Sequence, residues 1–173
     1  MSGLTFVDAN ILIYARDSIQ AQKQETAAQC LRLLWQERSG RLSVQVLSEY
    51  YVAVTRKLKP GLGADDAWDD VKALMSWEPQ ALDAAVLNRA REIELRYRTS
   101  WWDATIVAAA QAQSCAILLS EDFQHGTVFG QVTVRNPFLP RVEETTPDTN
   151  YISAVARPRH RPRGRPASRA QPT

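Results

Sequence analysis

A chain of 173 residues, 45% of them apolar, allows one domain of ordinary size with a real core. Its net charge of +2 hides an acidic body with a basic tail: six arginines and no acid fall from Arg157 onward, so positions 1–156 carry 15 basic against 19 acidic residues, a net of −4. No stretch reaches the roughly 18 apolar residues of a membrane span and Asp8 interrupts any leader-like start, which excludes a membrane protein and leads us to expect a cytoplasmic one.

In chain order, residues 4–7 read as a first buried strand, followed at once by Asp8-Ala9-Asn10 and a short helix over 11–16 that Asp8 or Asn10 can cap. Residues 22–38 read as a helix with Ala27, Cys30, Leu31, Leu34 and Trp35 on one face. A second strand is expected over 41–44, with Ser43 capping a helix that runs to about Leu58, where Pro60 and Gly61 stop it. Val46, Leu47, Tyr50, Val54 and Leu58 form the buried stripe of that helix, and Glu49 lies in its first turns. Residues 64–75 and 83–97 read as two more amphipathic helices. Their charges (Asp65, Asp66, Asp69 and Asp70; Arg89, Arg91, Glu92 and Glu94) read as solvated faces, and Trp68 and Trp77 as core or interface packing. Cys30 and Cys115 have no metal-ligand spacing and read as buried free thiols.

The stretch from Thr99 to Gly126 carries the most information. Ser100 is a good N-cap for a helix whose apolar face holds Ile106, Val107, Ala109 and Ala110. Residues 116–119 then form an apolar run bounded by Ser120-Glu121-Asp122, the pattern of a strand covered on both faces. A helix of about eleven residues rises roughly 16 Å, and a strand of about five covers roughly 17 Å on the way back. Asp103 and Asp122 are therefore expected at one level, at one edge of a sheet. Residues 132–134 read as a last strand.

Strands alternate with helices, which predicts an α/β domain with a mostly parallel sheet whose functional crevice lies beyond the C-terminal strand ends. Asp8, Glu49, Asp103 and Asp122 are all expected at that edge. Four carboxylates without a nearby base would repel one another unless a cation is present, and oxygen-only ligands suit Mg²⁺ or Mn²⁺ rather than zinc. Such an ion works on phosphates, lowering the pKa of a bound water and neutralising the transferring group.

Phe6-Val7-Asp8-Ala9-Asn10-Ile11-Leu12, Leu47-Ser48-Glu49-Tyr50-Tyr51, Trp102-Asp103-Ala104 and the run from Leu119 to Gly126 resemble the motifs of PIN domains, most of all the VapC-type toxins of bacterial toxin–antitoxin pairs. The resemblance spans about residues 4–139. It implies a three-layer α/β/α sandwich and a Mg²⁺- or Mn²⁺-dependent endoribonuclease that leaves a 5′-phosphate. Carried over, Asp8, Glu49, Asp103 and Asp122 would be the catalytic, metal-binding acids, with Asn10 and Ser120 as polar supports. Glu121 is ambiguous, because adjacent residues on an extended segment point in opposite directions. Ala9 departs from the hydroxyl residue common in the family and removes no charge. The resemblance further implies an RNA substrate, a small antitoxin that places a basic residue among the acids, and a homodimer.

Two other readings stay open. Asp8-x-Asn10 after a strand faintly resembles haloacid-dehalogenase phosphatases, though a second Asp two residues on is missing; a covalent aspartyl-phosphate would distinguish that case. A non-enzymatic module binding nucleic acid or a partner would show no metal-dependent turnover. The nuclease domain is expected over 1–140, followed by a disordered Arg/Pro-rich tail over 141–173. Around Arg163 and Arg165 this tail resembles an AT-hook core, which would contact DNA in the minor groove; the plainer expectation is a nonspecific, salt-sensitive aid to RNA capture.

Overall fold

The computed structural model of the protein describes residues 3–140. The tail expected over 141–173, with Arg163 and Arg165, lies outside the described residues. No helix among the described residues is long and apolar enough to cross a membrane.

Five short strands make one sheet: β1 (Thr5–Val7), β2 (Gly40–Arg41), β3 (Ile117–Leu119), β4 (Val128–Phe129) and β5 (Val132–Arg135). Their order is β2-β1-β3-β5-β4, parallel throughout except for β4, which pairs antiparallel with β5. The helices are α1 (Ala9–Tyr14), α2 (Ala21–Glu37), α3 (Val44–Val52), α4 (Ala64–Leu74), α5 (Ala84–Tyr97) and α6 (Trp101–Ala112). Layered on the sheet they give the expected α/β/α sandwich. The core is apolar where the pattern placed it: Phe6, Val7, Leu42, Val46, Val54, Val107, Leu118, Val132 and Val134 are all fully buried.

Local chemistry sets most helix starts. Ser43 accepts the Val46 N–H, Asp83 the Val86 N–H and Ser100 the Asp103 N–H, each satisfying a donor that the first helical turn leaves over. Asp8 is itself the N-cap of α1 and accepts the Ala9 N–H at 2.7 Å, so α1 starts two residues earlier than the pattern suggested.

The structure corrects several expectations. The second strand covers only Gly40–Arg41, because Leu42 and Ser43 turn to a different partner: the Gln80 N–H donates to Leu42 and the Val44 N–H donates back to Gln80. The helix expected to reach Leu58 is α-helical only to Val52, and Ala53–Lys57 form a wider π-helical turn. Strand β4 escaped the sequence pattern. Two residues show no periodicity, and its signal is the Gly130-Gln131 turn, where Gly130 takes a φ of +64° that suits a tight hairpin.

Asp70 is not on a solvated face. It pairs with Arg16, in the turn after α1, and accepts the hydroxyl of the buried Tyr50 of α3, which ties α4 to both. Burial first, and then this carboxylate, push the Tyr50 phenol well above its usual range. Trp77 is core, as expected, and lies 5.0 Å from Trp35; Trp68 is half exposed and meets Tyr51 edge-on. Neither cysteine forms a disulfide; Cys30 is only partly buried, whereas burial pushes the Cys115 thiol up to about 12.

Gly40 has no room for a side chain, because a Cβ there would sit 2.6 Å from the buried Trp77 ring. Gly40→Ala should cost about 2 kcal/mol by overpacking, read as a melting temperature lower by about 5 °C.

Candidate active site

The register of two parallel strands builds the site. Val7 of β1 lies opposite Leu119 of β3, so the next residues, Asp8 and Ser120, emerge side by side at the C-terminal edge of the sheet. The Asp8 N–H continues the ladder to the Leu119 carbonyl at 3.0 Å. Ser120, fully buried, donates its hydroxyl to Asp8 Oδ2 at 2.6 Å. Ser120 Oγ in turn accepts the Asp122 N–H at 3.1 Å, folding the chain so that Asp122 returns towards Asp8.

Asn10, in the first turn of α1, closes the unit. Its Nδ2 lies 3.2 Å from Asp8 Oδ2, 3.1 Å from Ser120 Oγ and 3.0 Å from Asp122 Oδ2, while its Oδ1 accepts the Glu121 N–H at 3.3 Å. One amide therefore spans both carboxylates. Both supports expected from the sequence are in contact with Asp8.

An open cleft of about 560 Å³ adjoins this unit, lined by Asp8, Asn10, Glu49 and Asp122 together with Ser48 and Lys57. Glu49 projects from α3, exposed, and accepts a hydrogen bond from Gln45 Nε2 at 3.0 Å. Lys57, at the end of the π-helical turn, forms no ion pair among the described residues. Lys57 corrects the expectation of acids without a nearby base. The signal was there: Gln45, Glu49, Ala53 and Lys57 recur every four residues, the spacing of one helix face.

Asp103 and Glu121 are not among the residues lining the cleft. Asp103 begins α6, where its N–H is capped by Ser100 and its Oδ2 accepts from Thr99 at 3.4 Å. Glu121 turns to Lys23, whose Nζ also lies 3.1 Å from the Tyr14 hydroxyl. Partial burial opposes ionisation of Glu121, but its hydrogen bonds to Lys23 and Tyr14 prevail and lower its pKa.

Electrostatics single out Asp8. Only 6% exposed, its carboxyl is pushed up to about 6, chiefly by burial. The Ser120 hydroxyl and Ala9 N–H hold it down in part, while the Asp122 and Glu49 carboxylates add to the rise. A buried carboxylate faced by two more acids is the environment a cation relieves. The donors are all oxygens, which fits a hard divalent ion that keeps several waters. Among the described residues, no three Asp, Glu, His or Cys side chains come close enough together to grip one ion directly.

A family model described as "PIN domain" matches residues 5–128 of the chain. No curated protein sequence matches. Among solved structures, a chain of a toxin–antitoxin complex from Klebsiella pneumoniae is similar at 18% identity and a TM-score of 0.55, covering 78% of this chain and 98% of that one. A chain of VapBC2 from Rickettsia felis, bound to a DNA fragment from its promoter, is similar at 15% identity and a TM-score of 0.52, covering 77% and 98%. At these identities the likeness is one of fold.

Proposed function

The chain belongs to the PIN-domain family, and from that premise we propose that it is a Mg²⁺- or Mn²⁺-dependent endoribonuclease, the toxin of a toxin–antitoxin pair. The observation that carries the reading is Asp8: a buried carboxylate with a raised pKa, joined to Asp122 through Asn10 at the rim of an open cleft that also holds Glu49. Asp8 and Asp122 would hold the ion, with Glu49, and Asp103 from the start of α6, acting through its water shell. When bound, such an ion supplies a water of lowered pKa and offsets charge on the phosphate.

The remaining work falls to the protein. Asn10 and Ser120 aim the Asp8 and Asp122 oxygens into the cleft and keep Asp8 ionised by donating to it. Glu49 orients the attacking water or takes up its proton. Lys57, which also lines the cleft, would meet a phosphate oxygen of the RNA, which the acids alone would repel. The arginines of the tail, Arg163 and Arg165 among them, would add a salt-dependent contact with nucleic acid. The two similar structures come from toxin–antitoxin complexes, one of them on DNA. They support a cognate antitoxin that covers these acids. Homodimerisation belongs to the same reading.

The test is cleavage of total RNA by the purified, antitoxin-free chain with Mg²⁺ or Mn²⁺. Discrete cuts with 5′-phosphate ends, absent in EDTA, are the expected result. Intact RNA under both metals, with a folded protein, would overturn the nuclease reading.

A further inference from the structure

We propose that Gln45 is a positioning residue for Glu49, holding that carboxylate on the cleft from a buried hydroxyl, Thr105, on a neighbouring helix; the inference rests on the nuclease reading above. Glu49 is exposed on α3, and a free glutamate there would sample many rotamers, losing that freedom each time it acted. Gln45, one turn earlier, donates Nε2–H to Glu49 Oε1 at 3.0 Å. Taken alone this is an ordinary pair at i and i+4, with a small effect.

The far end of Gln45 sets it apart. Its Oε1 lies 2.8 Å from the Thr105 hydroxyl, and Thr105 is 1% exposed, locked in α6. The contact sits in a closed seam with Ser43, Gln80, Val86 and Ala109. A carboxylate can only accept, so an ionised Glu49 requires the amide nitrogen to face it. That leaves Oε1 toward Thr105, which must donate. The hydroxyl also lies 2.6 Å from the Trp102 carbonyl of its own helix, so its one hydrogen is shared between that carbonyl and Gln45 Oε1, both of which can only accept. The chain Thr105–Gln45–Glu49 thus has one consistent direction, from a rigid anchor to the cleft. It also couples α3 to α6, which carries Asp103 two residues before Thr105.

The experiment uses the full chain and reads Mn²⁺ binding by calorimetry without RNA, kcat and KM on RNA, and the melting temperature. Gln45→Leu and Thr105→Val should each weaken Mn²⁺ binding and lower kcat about tenfold, the scale expected for a group behind a ligand. KM for RNA should stay near the wild-type value, and the melting temperature should fall by only a few degrees, the cost of one lost buried hydrogen bond. Thr105→Ser, which keeps the hydroxyl, should restore both losses. In a Glu49→Gln background, Gln45→Leu should change nothing further, since it acts through Glu49. Wild-type Mn²⁺ binding and kcat in Gln45→Leu, while Glu49→Gln has lost both, would overturn the positioning role and leave the nuclease reading standing. Wild-type behaviour of Glu49→Gln itself would remove Glu49 from the site, and the inference with it.

Discussion

Replacing Asp8 with asparagine should silence the nuclease and yet make the metal-free fold more stable at neutral pH. The loss of cleavage should be at least about 10²–10³-fold, the scale of deleting one preorganised electrostatic group. The gain in stability follows from the pKa. Burial pushes the Asp8 carboxyl from its ordinary 3.8 up to about 6 in the folded protein, so between those values the folded state binds the extra proton. Above pH 6 the ionised, buried carboxylate carries a penalty of up to about 3 kcal/mol. The penalty fades as pH falls through 6 toward 3.8. Wild-type protein in EDTA should therefore gain about 1 kcal/mol on going from pH 7.5 to pH 5, against the usual trend of acid denaturation.

Asp8→Asn should lack that slope. At pH 7.5 it should exceed wild type by about 1–2 kcal/mol, less than the full penalty because its new amide meets the Asn10 donor at 3.2 Å. Saturating Mn²⁺ should reverse the order, since only wild type gains from binding. Thermal melts of both proteins at the two pH values, with EDTA and with Mn²⁺, check all of this. A wild type that weakens toward pH 5, together with a destabilised Asp8→Asn, would mean that capping the Ala9 N–H is the larger role of Asp8.

The second large effect is expected at Asn10, which is uncharged. Asn10→Ala removes the nitrogen shared by Asp8, Ser120 and Asp122 and the acceptor of the Glu121 N–H. Asp8 then keeps its burial and loses a donor, so its pKa should climb further and the metal-free fold should lose about 1–3 kcal/mol. Without the bridge, the two carboxylates are held apart by repulsion. Metal affinity and kcat/KM should fall about 10–100-fold. Asn10→Asp makes the contrast: a third carboxylate in place of the bridge should destabilise the metal-free protein more than alanine does, and Mn²⁺ should recover most of that loss. Rates measured over a metal titration, with melts at each point, separate the two variants. Unchanged half-activating metal in Asn10→Ala would show that Asn10 does not organise the pair.

Much of this protein is written locally in its chain. The α/β class, the caps Ser43 and Ser100, the buried runs of β1 and β3, and an acid directly after a strand all follow from residues a few positions apart. Capping and periodicity are short-range effects, so a sequence displays them. Even the competition between capping and chemistry at Asp8 was visible there, though the structure assigns it both positions: N-cap of α1 and wall of the cleft.

Tertiary structure decided the rest. Helix and strand lengths place Asp103 and Asp122 at one level, but axial rise carries no information about rotation around the helix or offset across the sheet, and Asp122 lines the cleft whereas Asp103 is not among its lining residues. The pairing of Asp8 with Ser120 comes from the register Val7↔Leu119, a choice between segments more than a hundred residues apart. Asp70 reads as one of four exposed acids until Arg16 and Tyr50 arrive from distant parts of the chain. Local pattern alone shows which acids follow which strand ends. Which of them meet was decided only when long-range packing fixed register and helix phase, because those depend on contacts that no local pattern encodes.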